Sequence, residues 1–574
     1  MAGADATNTL ALGGSGSGTF NAGTLGIASE LQFQSFGTLE KTGSSTWTLT
    51  GTSQFNGSTN VKAGTLLLNG SLSGSSVSVQ NGATLGGTGA VGALTFAPGS
   101  IYKVKVFSAG QADRITAAGT ATLSGGTVQV LAENGTYKPS TTYRILTAAG
   151  GVSGQFEGVT SNLAYLRPSL RYGVNDVTLT LEQKAAFNSV AATGNQSNVA
   201  NALEALGPNN PLYKAVIGQS ASGARQAFEA LSGEAHASAG AAASVGASLV
   251  QTTLVNRLNT APASSSSLRM AQGTYTAAYA ADLPGKAPRT APVPVRSFDP
   301  RRFALWGEGF GSWGKVDGSA NAAGLDTSTG GFILGAEANL DQTYRLGVAA
   351  GFTRTTFDVD SRLSSGSNET VFGALYGSTS WGGLNLRLGT SLAAHDIDTQ
   401  RTVLFPGFAE AVSASYDGWT AQAFGEIGYR FDLARVQVEP FVGASIMRLH
   451  TASFQEVGGV SALAGFAQNQ DLGTTTLGVR AEAQISEDIP LRAKGLIGWR
   501  HAYGDVNPAA LMAFAGGSSA FTVAGTPVDR DALVAEAGLE WQASQAVSLG
   551  VAYQGQIGSQ AQEHALKGNF IWTF

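Results

Sequence analysis

The chain has 574 residues, 77 of them glycine, with no cysteine, 13% charged residues and a formal net charge of −5. That length exceeds what one compact core organises and implies two or more domains. The mild acidic balance gives no reason to expect nucleic acid, and the missing cysteine excludes disulfides and thiol catalysis.

No run of about 20 apolar residues occurs, so no transmembrane helix is expected. The opening MAGADATNTL lacks a basic and then apolar leader, so no secretory signal is read there. The chain is read as a mature or truncated product, with Met1 an added or internal start.

Residues 1–185 are rich in Gly, Thr, Ser and Asn. STWTLTG (45–51), STNVKAGTLLLNGSL (58–72) and SSVSVQNGATLGGTG (75–89) are short strands closed by Gly or Asn-Gly, recurring roughly every 20 residues. This period predicts an all-β solenoid, a right-handed parallel β-helix whose rungs bury Leu, Val and Ile; a β-sandwich is the alternative. From about residue 101 the strands lengthen (IYKVKVF, TYRILTAAG, DVTLTLEQ), which reads as a terminal cap.

Residues 186–262 change period. SNVANALEALG, PLYKAVIG, SGARQAFEALSG and ASLVQTTLVNRLN space apolar residues by three and four, as helices do. The stretch 234–259 is thin, Ala/Ser/Gly-rich and nearly uncharged, and at about 1.5 Å per residue it is long enough to cross a membrane-deep tunnel. The Ser- and Pro-rich stretch 263–300 reads as an extended linker.

Residues 301–574 carry about twelve segments that alternate apolar and polar residues. In LGVRAEAQI, Leu477, Val479, Ala481, Ala483 and Ile485 share one face, and Arg480, Glu482 and Gln484 the other. Short connections near 341, 382–383, 433–434, 487–488 and 544–545 alternate with longer ones at 315–326, 358–369, 399–412, 454–469 and 504–527. Strands sorted this way predict a closed antiparallel barrel in lipid, since an open sheet edge in hydrocarbon leaves backbone groups unsatisfied. Twelve strands spaced about 4.8 Å and tilted about 40° leave a bore of roughly 12–14 Å. One helix of about 10–12 Å diameter fits it, and a folded solenoid does not. The pattern turns Glu308, Glu337, Arg345, Arg387, Glu426, Arg430, Arg480, Glu482, Arg492, Lys494, Arg500, Glu536 and Glu540 toward the lumen, where mutual pairing is the expected role.

For catalysis, the five histidines (His236, His395, His450, His501, His564) are scattered singly, with no HExxH and no GxSxG. Asp113 and Glu133 are read as solvated rung residues rather than paired carboxylates. From these residues the expectation is that the chain is not an enzyme and needs no cofactor or metal.

Four motifs together resemble the autotransporters, the type V secretion family of Gram-negative bacteria. TLTGTSQFNGSTNVKAGTLLLNGSL resembles the passenger repeat, and ALSGEAHASAGAA (230–242) the helix before the barrel. WGEGFGSWGKVDG (306–318) resembles the first barrel strand, and GNFIWTF the terminal assembly signal. The resemblance implies an outer-membrane barrel that helps export and display a solenoid passenger acting as adhesin, stalk or spacer. It also implies a monomer whose partners are outer-membrane lipid, periplasmic chaperones, a host or neighbouring-cell surface ligand, and a barrel assembly machinery that reads Phe570, Trp572 and Phe574. The family usually has Gly five places before the last aromatic, where this chain has Asn569 beside Gly568. Some members cut themselves between adjacent asparagines in the pore helix; Asn256 and Asn259 are not adjacent, and that mechanism is not carried over. The alternatives are a translocator end whose upstream passenger is a protease or esterase, and a plain outer-membrane pore.

Overall fold

The computed structural model describes residues 8–574 apart from 27, 260–301, 341–342, 434–435 and 486–488, so the linker at 263–300 lies outside the described residues. The chain forms two compact units. One comprises Met1–Leu231, Val403–Ala409 and Gly516–Ser519; the other comprises Ser232–Thr402, Glu410–Ala515 and Ala520–Phe574.

In the first unit, strands of successive rungs pair in parallel. One column of aligned residues runs Leu12, Lys41, Val61, Val79, Phe96, Leu123. All six are buried. Two or three residues past each comes a glycine with positive φ: Gly14, Gly43, Gly64, Gly82, Gly99 and Gly126. Glycine adopts that left-handed turn without the Cβ penalty, so the repeat seen in the sequence is a repeat of one corner. Lys41 interrupts the apolar column. Its ammonium is satisfied by the carbonyls of Thr42 at 2.8 Å, Gly43 at 3.1 Å and Ala63 at 2.9 Å.

Parallel pairing continues to Gly158–Ser161, so the cap begins later than residue 101. The longer strand Ile101–Val106 still pairs in parallel with Thr84–Gly86 below and Thr127–Ala132 above. The antiparallel segment consists of Ser140–Ala148, Asp176–Gln183 and Leu166–Tyr172. Helices α1 (Gly194–Ala205), α2 (Pro211–Ile217) and α3 (Ala221–Leu231) follow. Thr193 and Asn210 cap the first two by accepting from Gln196 N–H and Leu212 N–H.

The second unit is a closed antiparallel barrel with helix α4 (Glu234–Asn259) inside it. Its twelve strands are β1 (Phe303–Val316), β2 (Leu325–Asn339), β3 (Tyr344–Val359), β4 (Ser364–Trp381), β5 (Leu384–Phe405), β6 (Phe408–Tyr429), β7 (Val436–Thr451), β8 (Gln468–Gln484), β9 (Leu491–Gly504), β10 (Asp531–Gln542), β11 (Val547–Gly558) and β12 (Ala561–Thr573). β12 pairs with β1 from Ala304↔Thr573 to Val316↔Ala561, which removes the edge. The backbones of Phe303 and Phe574 exchange hydrogen bonds of 3.1 and 2.9 Å at the end of that seam.

Two connections differ from the sequence reading. The stretches 358–369 and 399–412 are mostly strand: β3 and β4 meet at residues 360–363, and β5 and β6 at 406–407. Their polar alternation belongs to strands prolonged past the apolar band, which a polarity reading takes for loops. At the same rim, Phe454–Gln455, Leu463–Gly465, Ala509–Phe514 and Phe521–Ala524 make a separate four-stranded antiparallel sheet, here termed the lid.

The outward face is apolar at mid-height, with Leu334, Leu346, Leu375, Leu392, Ile446, Ile497 and Leu566 all exposed. Tyr344, Trp381, Tyr429 and Trp541 ring the short-turn end, and Trp313, Trp419, Trp499 and Tyr553 ring the other. This is the band and double girdle of a barrel that sits in lipid. Inside, aromatics lie over glycines directly across the ladder: Trp306 on Gly335, Tyr376 on Gly347, Phe372 on Gly351 and Phe441 on Gly478. A Cβ on Gly335 would stand 2.3 Å from the Trp306 ring, so each pair fixes register by shape.

The plugged lumen as candidate functional site

Helix α4 runs the bore from the long-loop rim at Glu234 to the short-turn end at Asn259, about 39 Å at 1.5 Å per residue. Its middle, residues 239–247, reads Ala-Gly-Ala-Ala-Ala-Ser-Val-Gly-Ala. Small side chains let the wall approach: Ala239, Ala241 and Ala242 pack with Phe357, Val359, Ile397 and Tyr416. Nearer the short-turn end, Leu249, Val250, Leu254 and Leu258 pack with Trp306, Phe310, Ile333 and Phe372.

Polar contacts concentrate at the two ends. At the short-turn end Thr253 donates to Glu308 at 2.6 Å and Asn256 to Glu536 at 2.6 Å. Arg257 pairs with Glu337, Arg345 donates to the Arg257 carbonyl at 3.3 Å, and Arg480 donates to Asn259 at 2.7 Å. Behind them Arg387 and Arg480 both bridge Glu426 and Glu439 at 2.6 to 3.0 Å. Arg480 also lies 4.0 Å over the Phe441 ring.

The other charged positions singled out in the sequence lie on the same lumen wall, four of them in two separate pairs. Arg492 pairs with Glu482 at 3.0 Å, Lys494 pairs with Glu540, and Arg500 reaches Ser248 at 3.4 Å. Arg430 lines the cavity at the short-turn end. Phe570, Trp572 and Phe574 are exposed on the outward face. The charges are mixed in sign, and most of them pair with one another or with α4, which favours holding the helix over passing one kind of ion.

Sequence reasoning missed Glu439, although Val438 and Pro440 beside it alternate outward and its phase was readable. It also missed every contact at the long-loop rim. There Glu234 takes a hydrogen bond from Arg362 at 2.9 Å and another from Ala323 N–H. Ser238 lies 3.3 Å from Thr526. His236 is buried, with Nε2 donating to Glu456 at 2.8 Å and Nδ1 3.3 Å from the Tyr416 hydroxyl. Its ring stacks on Phe454 at 4.1 Å between centroids. Glu456 also accepts from Arg401 Nε and Nη2, both at 2.6 Å, and from Leu463 N–H at 2.9 Å. Burial pushes the Glu456 carboxyl up, but Arg401 and His236 outweigh it and hold the group at about 2.

Residues 305–554 match the model of the autotransporter β-domain, and residues 39–68 match that of the passenger-associated transport repeat. The C-terminal barrel is an autotransporter β-domain. It is an outer-membrane domain of a Gram-negative bacterium. A curated relative from Serratia marcescens named extracellular serine protease is 31% identical over 587 residues, covering 94% of this chain and 56% of the relative. A second of that name and organism is 30% identical over 589 residues. The chain thus spans about half the length of these relatives. The expectation of no enzyme is corrected by them, since both carry a protease name and align with 94% of the chain. Among solved structures, the translocator domain of the autotransporter NalP from Neisseria meningitidis is similar at 13% identity and a TM-score of 0.40, covering 48% of this chain and 89% of its own. The transport unit of AIDA-I from Escherichia coli is similar at 16% identity and 0.34, covering 49% and 93%.

Proposed function

We propose that the barrel anchors this autotransporter in the outer membrane, serves as part of the route by which the N-terminal region reaches the cell surface, and is closed afterwards by α4. The observation that carries the reading is α4 itself. It is a single slender helix threaded through a closed barrel, with its N-terminus at the long-loop rim. The chain preceding Glu234 is then delivered to the side of the long loops, the exterior. The solenoid acts there as a stalk. The protease name of the relatives supports serine protease activity for the whole exported protein, carried on that stalk.

Two measurements test this. Deleting residues 234–259 from the full chain is expected to raise single-channel conductance in planar bilayers several-fold, and an unchanged conductance contradicts the plug. A fluorophosphonate probe added to intact cells making the native protein is expected to label it at the surface. Absence of labelling on correctly exported protein contradicts the protease reading.

A further inference from the structure

The middle of α4 has nothing to say where the rod should stop. Residues 239–247 carry methyls, hydrogens, one isopropyl group and one hydroxyl that bonds back to its own helix at Gly240. A slip of one residue moves a helix about 1.5 Å and turns it about 100°, and such a surface resists that motion weakly. Axial position must come from the residues on either side of this stretch, among them Gln251, which accepts from Gln422 at 2.7 Å, and the two ends. At the long-loop rim the first turns offer three polar side chains: Glu234 and Ser238, one turn apart on one face, and His236 on the opposite face, each reaching a different connection of the barrel.

Of the three, His236 has the most demanding seat. Both ring nitrogens are engaged, one by a carboxylate and one by a phenol, and Phe454 covers the ring face. The seat is assembled from β6 (Tyr416) and the β7–β8 connection (Phe454, Glu456). That connection supplies two strands of the lid, Phe454–Gln455 and Leu463–Gly465. Glu456 ties the lid to β5 through Arg401, and to α4 through His236. Lid and helix also meet at Gly233, where a Cβ would stand 2.4 Å from Leu463 and 3.1 Å from Met512, so a slipped helix would bring larger side chains into that contact.

We propose that His236 is the register pin of the plug: its imidazole, seated between Glu456 and Tyr416, sets where α4 halts in the bore and fastens the lid over the occupied mouth. The proposal rests on the plug reading above. Extended chain in transit lacks this ring at this height, so Glu456 keeps its Arg401 partner while the lid has no hold on the bore. Arrival of His236 completes the seat. His236 is a positioning residue.

The test uses the natural absence of cysteine. In the full chain, Ser238→Cys with Thr526→Cys places two thiols where the hydroxyls stand 3.3 Å apart, and mild oxidation of outer-membrane material is expected to join them in high yield. Adding His236→Ala is expected to lower the yield several-fold and to raise conductance in bilayers. Adding His236→Gln, which can still donate to Glu456, is expected to restore most of both. Heat-modifiable migration on gels reports that the barrel is assembled in every variant. Full disulfide yield with His236→Ala, or failure of His236→Gln to restore it, overturns the pin. The 234–259 deletion separates the two readings. If conductance rises on deletion while His236→Ala changes nothing, the plug stands and the pin falls. If deletion changes nothing and no disulfide forms in any background, the plug falls and the pin with it.

Discussion

Tyr102 shows how much one hydroxyl does inside the solenoid. It is fully buried, donates to the Ile145 carbonyl and accepts from Ile115 N–H at 3.2 Å. Tyr102→Phe strands both backbone groups, and the expected loss is about 1–3 kcal/mol in urea unfolding of the first unit. Burial raises this phenol well above its ordinary value of 10. Because the folded-state value is raised, its contribution is complete below pH 10 and is lost as pH climbs beyond. The Tyr102→Phe variant is expected to lose less stability than the parent between pH 9 and 11, measured by the same unfolding. Lys41 makes the matching point about legibility. Alternation in LEKT puts it in the inward phase, but lysine is almost never fully buried, so pattern reasoning passes it by. What accommodates it is three carbonyls at two stacked corners, a property of rungs already assembled.

Among elements, the strands were readable wherever one face is greasy and the other wet. The phase of β8, with Arg480 and Glu482 opposite Leu477 and Val479, follows from period two alone. The prolonged ends of β5 and β6 were hidden because past the lipid band their outward face turns polar, as at Asp396, Asp398, Gln400 and Thr402, while the apolar residues, such as Ile397, Val403 and Val412, face inward. The lid was hidden for another reason: its strands lie in segments of mixed composition, and their pairing joins residues about 50 apart, such as Leu463 and Phe514. Glu456 gives the lid a pH signature. Its carboxyl is depressed to about 2 from an ordinary 4.5, so its contribution is intact above pH 4.5 and is lost as pH falls toward 2. Hydrogen exchange at the Leu463 amide is expected to accelerate between pH 5 and 3 beyond the intrinsic trend, and Glu456→Gln is expected to flatten that change. For β12, removal of Phe574 deletes the last backbone pair with Phe303 and is expected to reduce the heat-modifiable fraction on gels.

At the scale of the molecule, the two units obey different physics. A stack of rungs is stabilised by nearest neighbours, whereas a barrel is closed or it is not. Heating in detergent is therefore expected to give two transitions, the barrel persisting after the solenoid has melted, and a single joint transition would contradict this. Export links them if folding of rungs outside biases the chain outward, each rung burying apolar area at about 25 cal/mol per Å². Leu123, Val128 and Val130 are all buried in the rungs nearest the cap. Replacing the three with Asp is expected to cut surface exposure of the N-terminal region, read by added protease on whole cells, while the barrel still assembles. The glycine corners of the solenoid and the aromatic-on-glycine pairs of the barrel explain why one composition, 77 glycines in 574 residues, serves both architectures.

The bland centre of α4 carries one more consequence. A conduit whose waist meets its occupant through methyl groups and hydrogens reads girth and ignores identity. Evolution can exchange the freight ahead of such a rod without redrawing the tunnel, and so can an engineer who keeps the two ends and grafts unrelated cargo upstream.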